Sequence, residues 1–113
     1  MSGSVAIVVS RNAADPEGGE SPRERLEAVV AMLLQAEHPV AKVLFYTEGL
    51  SWVLRDSSIL PQLMELEARG VELIVCRECA REGGLKNDLA VGRLESDDRI
   101  LELMWNAEHV VVV

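Results

Sequence analysis

The chain is predicted to adopt an α/β fold, a three-layer α/β/α arrangement around a mostly parallel, five-stranded sheet. Short, continuously apolar runs such as Val5–Val9 and Val71–Val75 alternate with longer amphipathic stretches. Runs that are apolar at consecutive positions are typical of strands buried on both faces, and this alternation is the order in which crossover helices join parallel strands. The length of 113 residues corresponds to a single domain, residues 1–113.

Different sequence patterns predict the first strand and the first helix. After Val5–Val9 comes a polar, glycine-bearing loop, Ser10–Glu20. Ser21 then serves as an N-cap, with Pro22 at the first helical position and Glu24 three residues after the cap. Apolar residues at helical spacing follow as one stripe: Leu26, Val29, Val30, Leu33 and Leu34.

The middle of the chain repeats this pattern. His38-Pro39 ends the first helix, and Val40–Tyr46 is predicted as the second strand. A second long loop, Thr47–Asp56, leads to a helix opened by Ser57 or Ser58. That helix tolerates Pro61 only in its first turn, and Gly70 ends it before the third strand.

The last third contains the two remaining strands. Leu89–Val91 is interpreted as a short fourth strand, and Ser96-Asp97-Asp98 caps a helix with acids at its positive end. The inner face of that helix consists of Ile100, Leu103, Met104 and Ala107. The final strand, His109–Val113, is apolar enough that we expect it to be buried.

Composition excludes several classes of partner. The formal charge of −8 and the pI near 4.7 argue against nucleic acid and anionic membranes, because like charges repel. No apolar run approaches the ~20 residues of a membrane helix, and Met1–Val9 has no signal-peptide pattern, so we expect a cytoplasmic protein. Gly18-Gly19 lacks the spacing of a phosphate-binding loop and is interpreted as part of a flexible acidic loop, so no cofactor is implied.

Cys76 and Cys79 are the main candidates for covalent chemistry. They stand between the third strand and a short helical stretch, where free backbone N–H groups favour a thiolate. We therefore expect a lowered pKa for Cys76, and Cys79 either resolves a bond on Cys76 or packs. A buried structural cysteine is the competing interpretation. A zinc site is disfavoured, because His38 and His109 are predicted at the opposite edge of the sheet.

The loops after the strands are the candidate walls of a pocket, because ligands of such sheets bind beyond the carboxyl ends of the strands. Tyr46, Thr47, Glu48 and Gly49 follow the second strand; Glu48 is either a proton acceptor for a thiol or an ordinary loop acid. Trp52 is predicted to be a lid or a subunit contact. Arg77 is a further candidate near the thiols, although a solvated charged face is the stronger interpretation. Trp105 is predicted to pack in the core or at an interface, and exposed apolar residues in 49–54 would favour self-association.

From Lys42 onward the chain resembles the DsrE/DsrF-type sulfurtransferase family, and within it the C-terminal domain of YedF-like proteins. The resemblance is carried by Val43-Leu-Phe-Tyr-Thr-Glu-Gly49, by residues 66–79 and by Gly84-Leu-Lys-Asn-Asp-Leu-Ala-Val-Gly92. It implies a DsrE-like sheet and a persulfide carrier, with Cys76 at the position of the sulfur-accepting cysteine and Cys79 at that of the second thiol. It also implies sulfur donor and acceptor proteins as partners, and a homo-oligomer.

Two other functions remain open from the residues. One is a thiol-disulfide exchanger using both cysteines, although the chain lacks a Trp-Cys-Gly-Pro-Cys context. The other is a non-catalytic assembly subunit whose cysteines are buried. Whether the protein is an enzyme is therefore not decided by the sequence.

Overall fold

The computed structural model describes residues 4–11, 22–35 and 41–113. The predicted loop 10–20, the cap at Ser21 and the helix end at His38-Pro39 lie wholly or mostly outside these residues. The described elements are, in chain order, β1 Val5–Val9, α1 Pro22–Gln35, β2 Ala41–Phe45, a 3₁₀ segment Thr47–Val53, α2 Leu60–Ala68, β3 Glu72–Cys76, α3 Arg77–Glu82, β4 Arg93–Glu95, α4 Asp97–Asn106 and β5 His109–Val112.

The five strands form one sheet in the order β4-β3-β2-β1-β5, and every neighbouring pair is parallel. This confirms the predicted α/β class and shows the sheet to be parallel throughout. Because the strands are parallel, their carboxyl ends share one edge. Val9 pairs with Phe45, and Phe45 with Val75, which places Cys76 and the start of the 3₁₀ segment at that edge.

The two faces of the sheet are covered unequally. One face packs against α1 and α2 and contributes Ile7, Val43, Phe45 and Leu73 to a large core. The other face contributes five residues to a smaller cluster that Ile100 of α4 completes: Ala6, Val8, Leu44, Ile74 and Cys76. Alternate residues of β1, β2 and β3 belong to opposite clusters, as the two-residue period of a strand requires.

The fourth strand is Arg93–Glu95, so the prediction of Leu89–Val91 is wrong. Gly92 has a φ of 86°, and its N–H donates to the Glu67 carboxylate at 2.8 Å. This left-handed turn, which favours glycine, directs the chain into the register with β3 only after residue 92. Leu89 instead forms an isolated antiparallel bridge with Leu54.

Three of the predicted helix boundaries can be compared with the structure. Ser96 caps α4, because its hydroxyl accepts the Arg99 N–H at 3.2 Å, and Gly70, with a φ of 91°, follows α2 as predicted. The N-cap of α2 is Ile59 rather than either serine, and Pro61 lies in the first turn. The Ser57 hydroxyl accepts the Ile59 N–H at 3.3 Å just before that helix.

The side chains of β5 are exposed, contrary to the expectation that this apolar strand is buried. The reason is its position, because β5 lies at the edge of the sheet with β1 as its neighbour. None of the helices in the described ranges is long and apolar enough to span a membrane.

Candidate active site at Cys76

Cys76 is the last residue of β3 and the N-cap of α3. Its sulfur accepts a hydrogen bond from the backbone N–H of Cys79 at 3.4 Å, which satisfies one free donor of the first turn of α3. The side chain is only 1% exposed and belongs to the cluster beneath α4. The predicted position, between a strand and a helix, is thus observed, but the thiol lies inside the protein.

Burial raises the pKa of the Cys76 thiol to about 11, so the expectation of a lowered pKa is wrong. Desolvation is the largest cause because a thiolate loses its hydration in an apolar cluster. The side chain of Cys79 and the carboxylate of Asp97 act in the same direction. The N–H of Cys79 opposes them, but one backbone donor does not offset the loss of water. Near neutral pH the sulfur is therefore a protonated thiol.

The Glu78 carboxylate lies between the thiol and Asp97, the first residue of α4. Oε1 of Glu78 is 4.0 Å from Sγ of Cys76, at the outer limit for a hydrogen bond from the thiol. The same oxygen accepts the backbone N–H of Asp97 at 2.9 Å. The pKa of Glu78 is lowered, first by its own backbone N–H and then by that of Asp97. Glu78 therefore stays ionised beside the thiol and attaches α4 to the beginning of α3.

Tyr46 completes this group from the end of β2. Its hydroxyl donates to Oδ1 of Asp97 at 2.9 Å. Burial, and then the hydrogen bond to the carboxylate, raise the pKa of Tyr46, so its hydroxyl remains a donor. Residues from β2, the start of α3 and the start of α4 thus meet around Cys76, and Tyr46 is a predicted wall residue that the structure places among them.

Cys79 is half-buried and packs against both core clusters. Both cysteines are free thiols. The spacing of three residues in a helical turn brings the backbone N–H of Cys79 to the sulfur of Cys76. Arg77 is exposed, and its charge lowers the pKa of Glu78. Arg81 forms an ion pair with Glu78 at 3.9 Å, and its charge also lowers the pKa of Glu78.

Two of the other predicted wall residues, Thr47 and Gly49, contact the end of β1 or the residue after it. Thr47 has a φ of 47°, unusual for a β-branched residue, and its hydroxyl donates to the Ser10 carbonyl at 3.1 Å. Glu48 is exposed. Gly49 is buried against the end of β1, where an added Cβ would lie 2.1 Å from the Val9 carbonyl oxygen. It is Glu78, and not Glu48, that lies within reach of the thiol.

Trp52 is 4% exposed, so the expectation that it forms an exposed subunit contact is wrong. Its Nε1–H donates to the Arg11 carbonyl at 2.7 Å, which ties the 3₁₀ segment to the chain after β1. Leu50 and Val53 are buried with it, and the expectation of exposed apolar residues in 49–54 is therefore wrong. Trp105 is 89% exposed and does not pack in the core of this chain.

The sequence did not identify Glu78 and Asp97 as site residues. Glu78 stands in a run of alternating charges that predicts only a solvated face, and Asp97 was recognised only as a helix-capping acid. Their contact joins residues 19 positions apart, and the Tyr46–Asp97 bond spans 51 positions. The spacing of residues that are close in sequence cannot predict contacts over such distances. Within the described residues, no group of three or more His, Cys, Asp or Glu side chains could hold a metal ion.

Comparisons with known proteins agree with this architecture. Residues 3–113 match the DsrE/DsrF-like family. The structure is similar to the crystal structure of the ychN protein from E. coli, with a TM-score of 0.78, 20% identity and full coverage of both chains. It is also similar to MTH1491 of Methanobacterium thermoautotrophicum, described as a protein of unknown function, with a TM-score of 0.73 and 18% identity over 96% of this chain and 97% of that one. No curated protein sequence matches the chain.

Proposed function

Because the chain belongs to the DsrE/DsrF-like family, we propose that it is a cytoplasmic sulfur-relay protein. In this proposal Cys76 accepts sulfane sulfur from a donor protein, holds it as a persulfide and passes it to the thiol of an acceptor protein. Family membership supports sulfur relay in general. The position of Cys76 at the carboxyl end of β3, with Cys79 N–H directed at its sulfur, supports Cys76 as the carrier.

The transfer requires no net oxidation. Cys76 loses its proton as Sγ attacks the terminal sulfur of a donor persulfide, R–S–SH. A new S–S bond forms, the donor's S–S bond breaks, and the donor leaves as a thiol after taking up the proton. In the second half the acceptor thiolate attacks the outer sulfur of Cys76–S–SH, and Cys76 is restored. Nucleophilic catalysis of this kind divides one transfer into two displacements.

The residues around Cys76 have distinct parts in this proposal. The Glu78 carboxylate, 4.0 Å from the sulfur, is the nearest group that can accept the thiol proton. The Cys79 N–H supports the anion that results. Since Cys76 is only 1% exposed, the donor must open the contact between α3 and α4 to reach its sulfur. The bond between Glu78 and the Asp97 N–H closes that contact in the free protein.

Intact-mass spectrometry after incubation with a persulfide donor tests the proposal. The wild type and Cys79→Ser are expected to gain one sulfur atom that a reductant removes, whereas Cys76→Ser is expected to gain none. Cys79→Ser is the matched control, since it makes the same substitution at the neighbouring cysteine and leaves Cys76 intact. Equal sulfur uptake by Cys76→Ser and the wild type would refute the role of Cys76.

The burial of Cys76 favours a second candidate function, a non-catalytic assembly subunit with structural cysteines. A 1% exposed thiol with a pKa raised to about 11 is what a purely packed cysteine would show. This function predicts that neither thiol reacts with iodoacetamide or takes up sulfur until the protein is unfolded. Native alkylation of Cys76, or transfer of sulfur through it, would exclude this function.

A further inference from the structure

Asp97, the first residue of α4, is bonded to two other elements close to Cys76. Its backbone N–H donates to Oε1 of Glu78 at 2.9 Å, and its Oδ1 accepts the hydroxyl of Tyr46 at 2.9 Å. Glu78 belongs to α3, and Tyr46 follows β2. Glu95, the last residue of β4, pairs with Cys76, so the chain enters α4 directly beside the thiol. Asp97 therefore attaches the first turn of α4 over Cys76.

The apolar attachment of α4 to the sheet is slight. Ile100 is the one fully buried residue of this helix, and it lies in the same cluster as Cys76. A cavity of about 80 Å³ lies under the end of the helix, beside Leu103 and Asn106. Elements with few buried apolar contacts open at a low cost in free energy. The two hydrogen bonds of Asp97 therefore contribute a substantial part of what holds the first turn in place.

The first turn of α4 also keeps the thiol protonated. Burial is the largest cause of the raised pKa of Cys76, and Ile100 of α4 belongs to the cluster that buries it. The negative charge of Asp97 raises that pKa further. Displacement of the turn removes both effects, while the Cys79 N–H, which favours a thiolate, stays in place. Opening at this turn therefore exposes the sulfur and activates it in one step.

We propose that the first turn of α4 is a gate over Cys76, and that the hydrogen bond between Tyr46 and Asp97 keeps this gate shut in the free protein. This role of α4 rests on the proposed function, since the opening is assigned to the docking of a sulfur donor. With the gate shut, Cys76 is a buried, protonated thiol. With the gate open, it is an accessible nucleophile. Tyr46 is a positioning residue, because it acts on the sulfur through Asp97.

Tyr46 is the residue whose substitution changes the gate but not the groups that react. Glu78 lies 4.0 Å from the sulfur and is the proposed proton acceptor, so its substitution alters access and chemistry together. The hydroxyl of Tyr46 bonds to Asp97 instead, and its ring packs against the cluster that contains Cys76. Tyr46→Phe removes the hydroxyl and keeps the ring. The variant therefore weakens the attachment of α4 and leaves the packing around the thiol unchanged.

Native alkylation by iodoacetamide tests the gate in the Cys79→Ser background, where Cys76 is the one remaining thiol. Adding Tyr46→Phe is expected to raise the rate near neutral pH at least about fivefold, because loss of a hydrogen bond to a charged group enlarges the open population by that factor or more. Ser57→Ala is the matched control. It removes a side-chain hydrogen bond of 3.3 Å just before α2, on the opposite face of the sheet, and should leave the rate unchanged. A Tyr46→Phe variant that is folded by circular dichroism and reacts no faster than its parent would overturn the proposal.

A double-mutant cycle shows whether Tyr46 acts through Asp97. Asp97→Ala removes the same hydrogen bond from its other end and keeps the backbone N–H that Glu78 accepts. It should also raise the rate, and the double variant should react no faster than Asp97→Ala alone, because one bond can be lost only once. Effects that multiply would show that the two residues act independently, which contradicts the gate. If Tyr46→Phe does not fold, Asp97→Ala carries the test, and an unchanged rate in it overturns the proposal.

Hydrogen exchange separates opening of the gate from a general loss of stability. The backbone N–H groups of Asp97, Arg99 and Ile100 are hydrogen-bonded in the first turn of α4. Their exchange should accelerate in Tyr46→Phe by the same factor as the alkylation, while exchange in α2 stays unchanged. Equal acceleration in α2 would indicate global unfolding and overturn the gate. None of these measurements uses a sulfur donor, so a failure of sulfur uptake refutes the carrier role alone, and an unchanged alkylation rate refutes the gate alone.

Discussion

At the scale of single residues, Cys76 shows which part of a site can be predicted from the sequence. Its position follows from the apolar run that precedes it and the charged helical stretch that follows it, and both are local signals. Its pKa does not, because desolvation depends on Ile74 and Ile100 in the same cluster and on α4 above it. The sequence shows the N–H donors that would stabilise a thiolate, but not the loss of water that outweighs them.

The raised pKa predicts a specific pH dependence for the reactivity of Cys76. In Cys79→Ser, the rate of native alkylation by iodoacetamide should rise about tenfold per pH unit from about pH 7 to about pH 10, because only the thiolate reacts and its pKa is about 11. The same protein in denaturant is the control, and its rate should level off near the ordinary pKa of ~8.5. A native rate that reaches its plateau below about pH 8 would contradict the burial argument.

At the scale of the elements, those with a local signal were predicted and those fixed by distant contacts were not. The cap of α4 needs only Ser96 and its own first turn. The start of β4 depends on the turn at Gly92 and on the Glu67 carboxylate, 25 positions away. The burial of Trp52 has the same kind of cause, since its indole N–H donates to the carbonyl of Arg11, which follows β1 and lies 41 positions away.

The 3₁₀ segment depends on a glycine at its contact with β1. A Cβ on Gly49 would lie 2.1 Å from the Val9 carbonyl oxygen and 2.7 Å from its carbon, and neither backbone atom can move without disturbing β1. Gly49→Ala should therefore lower the free energy of unfolding by about 2 kcal/mol or more, or the Tm by roughly 8 °C or more, in thermal unfolding followed by circular dichroism.

Gly83→Ala is the matched control for that experiment. A Cβ there would lie 3.3 Å from Cδ1 of Leu85, the end of a flexible side chain, and the φ of −86° suits alanine. Its Tm should change by no more than a few degrees. Similar losses of stability in the two variants would show that Gly49 is not specially constrained by β1.

At the scale of the whole molecule, the fold class was predictable but the order of the strands was not. Apolar runs that alternate with amphipathic ones predict a parallel sheet whichever strands lie at its edges. The run of valines in β5 has the same pattern in a central strand and in an edge strand, so burial was the natural expectation. Only the pairing of β5 with β1 at the end of the sheet shows that this strand is open on one side.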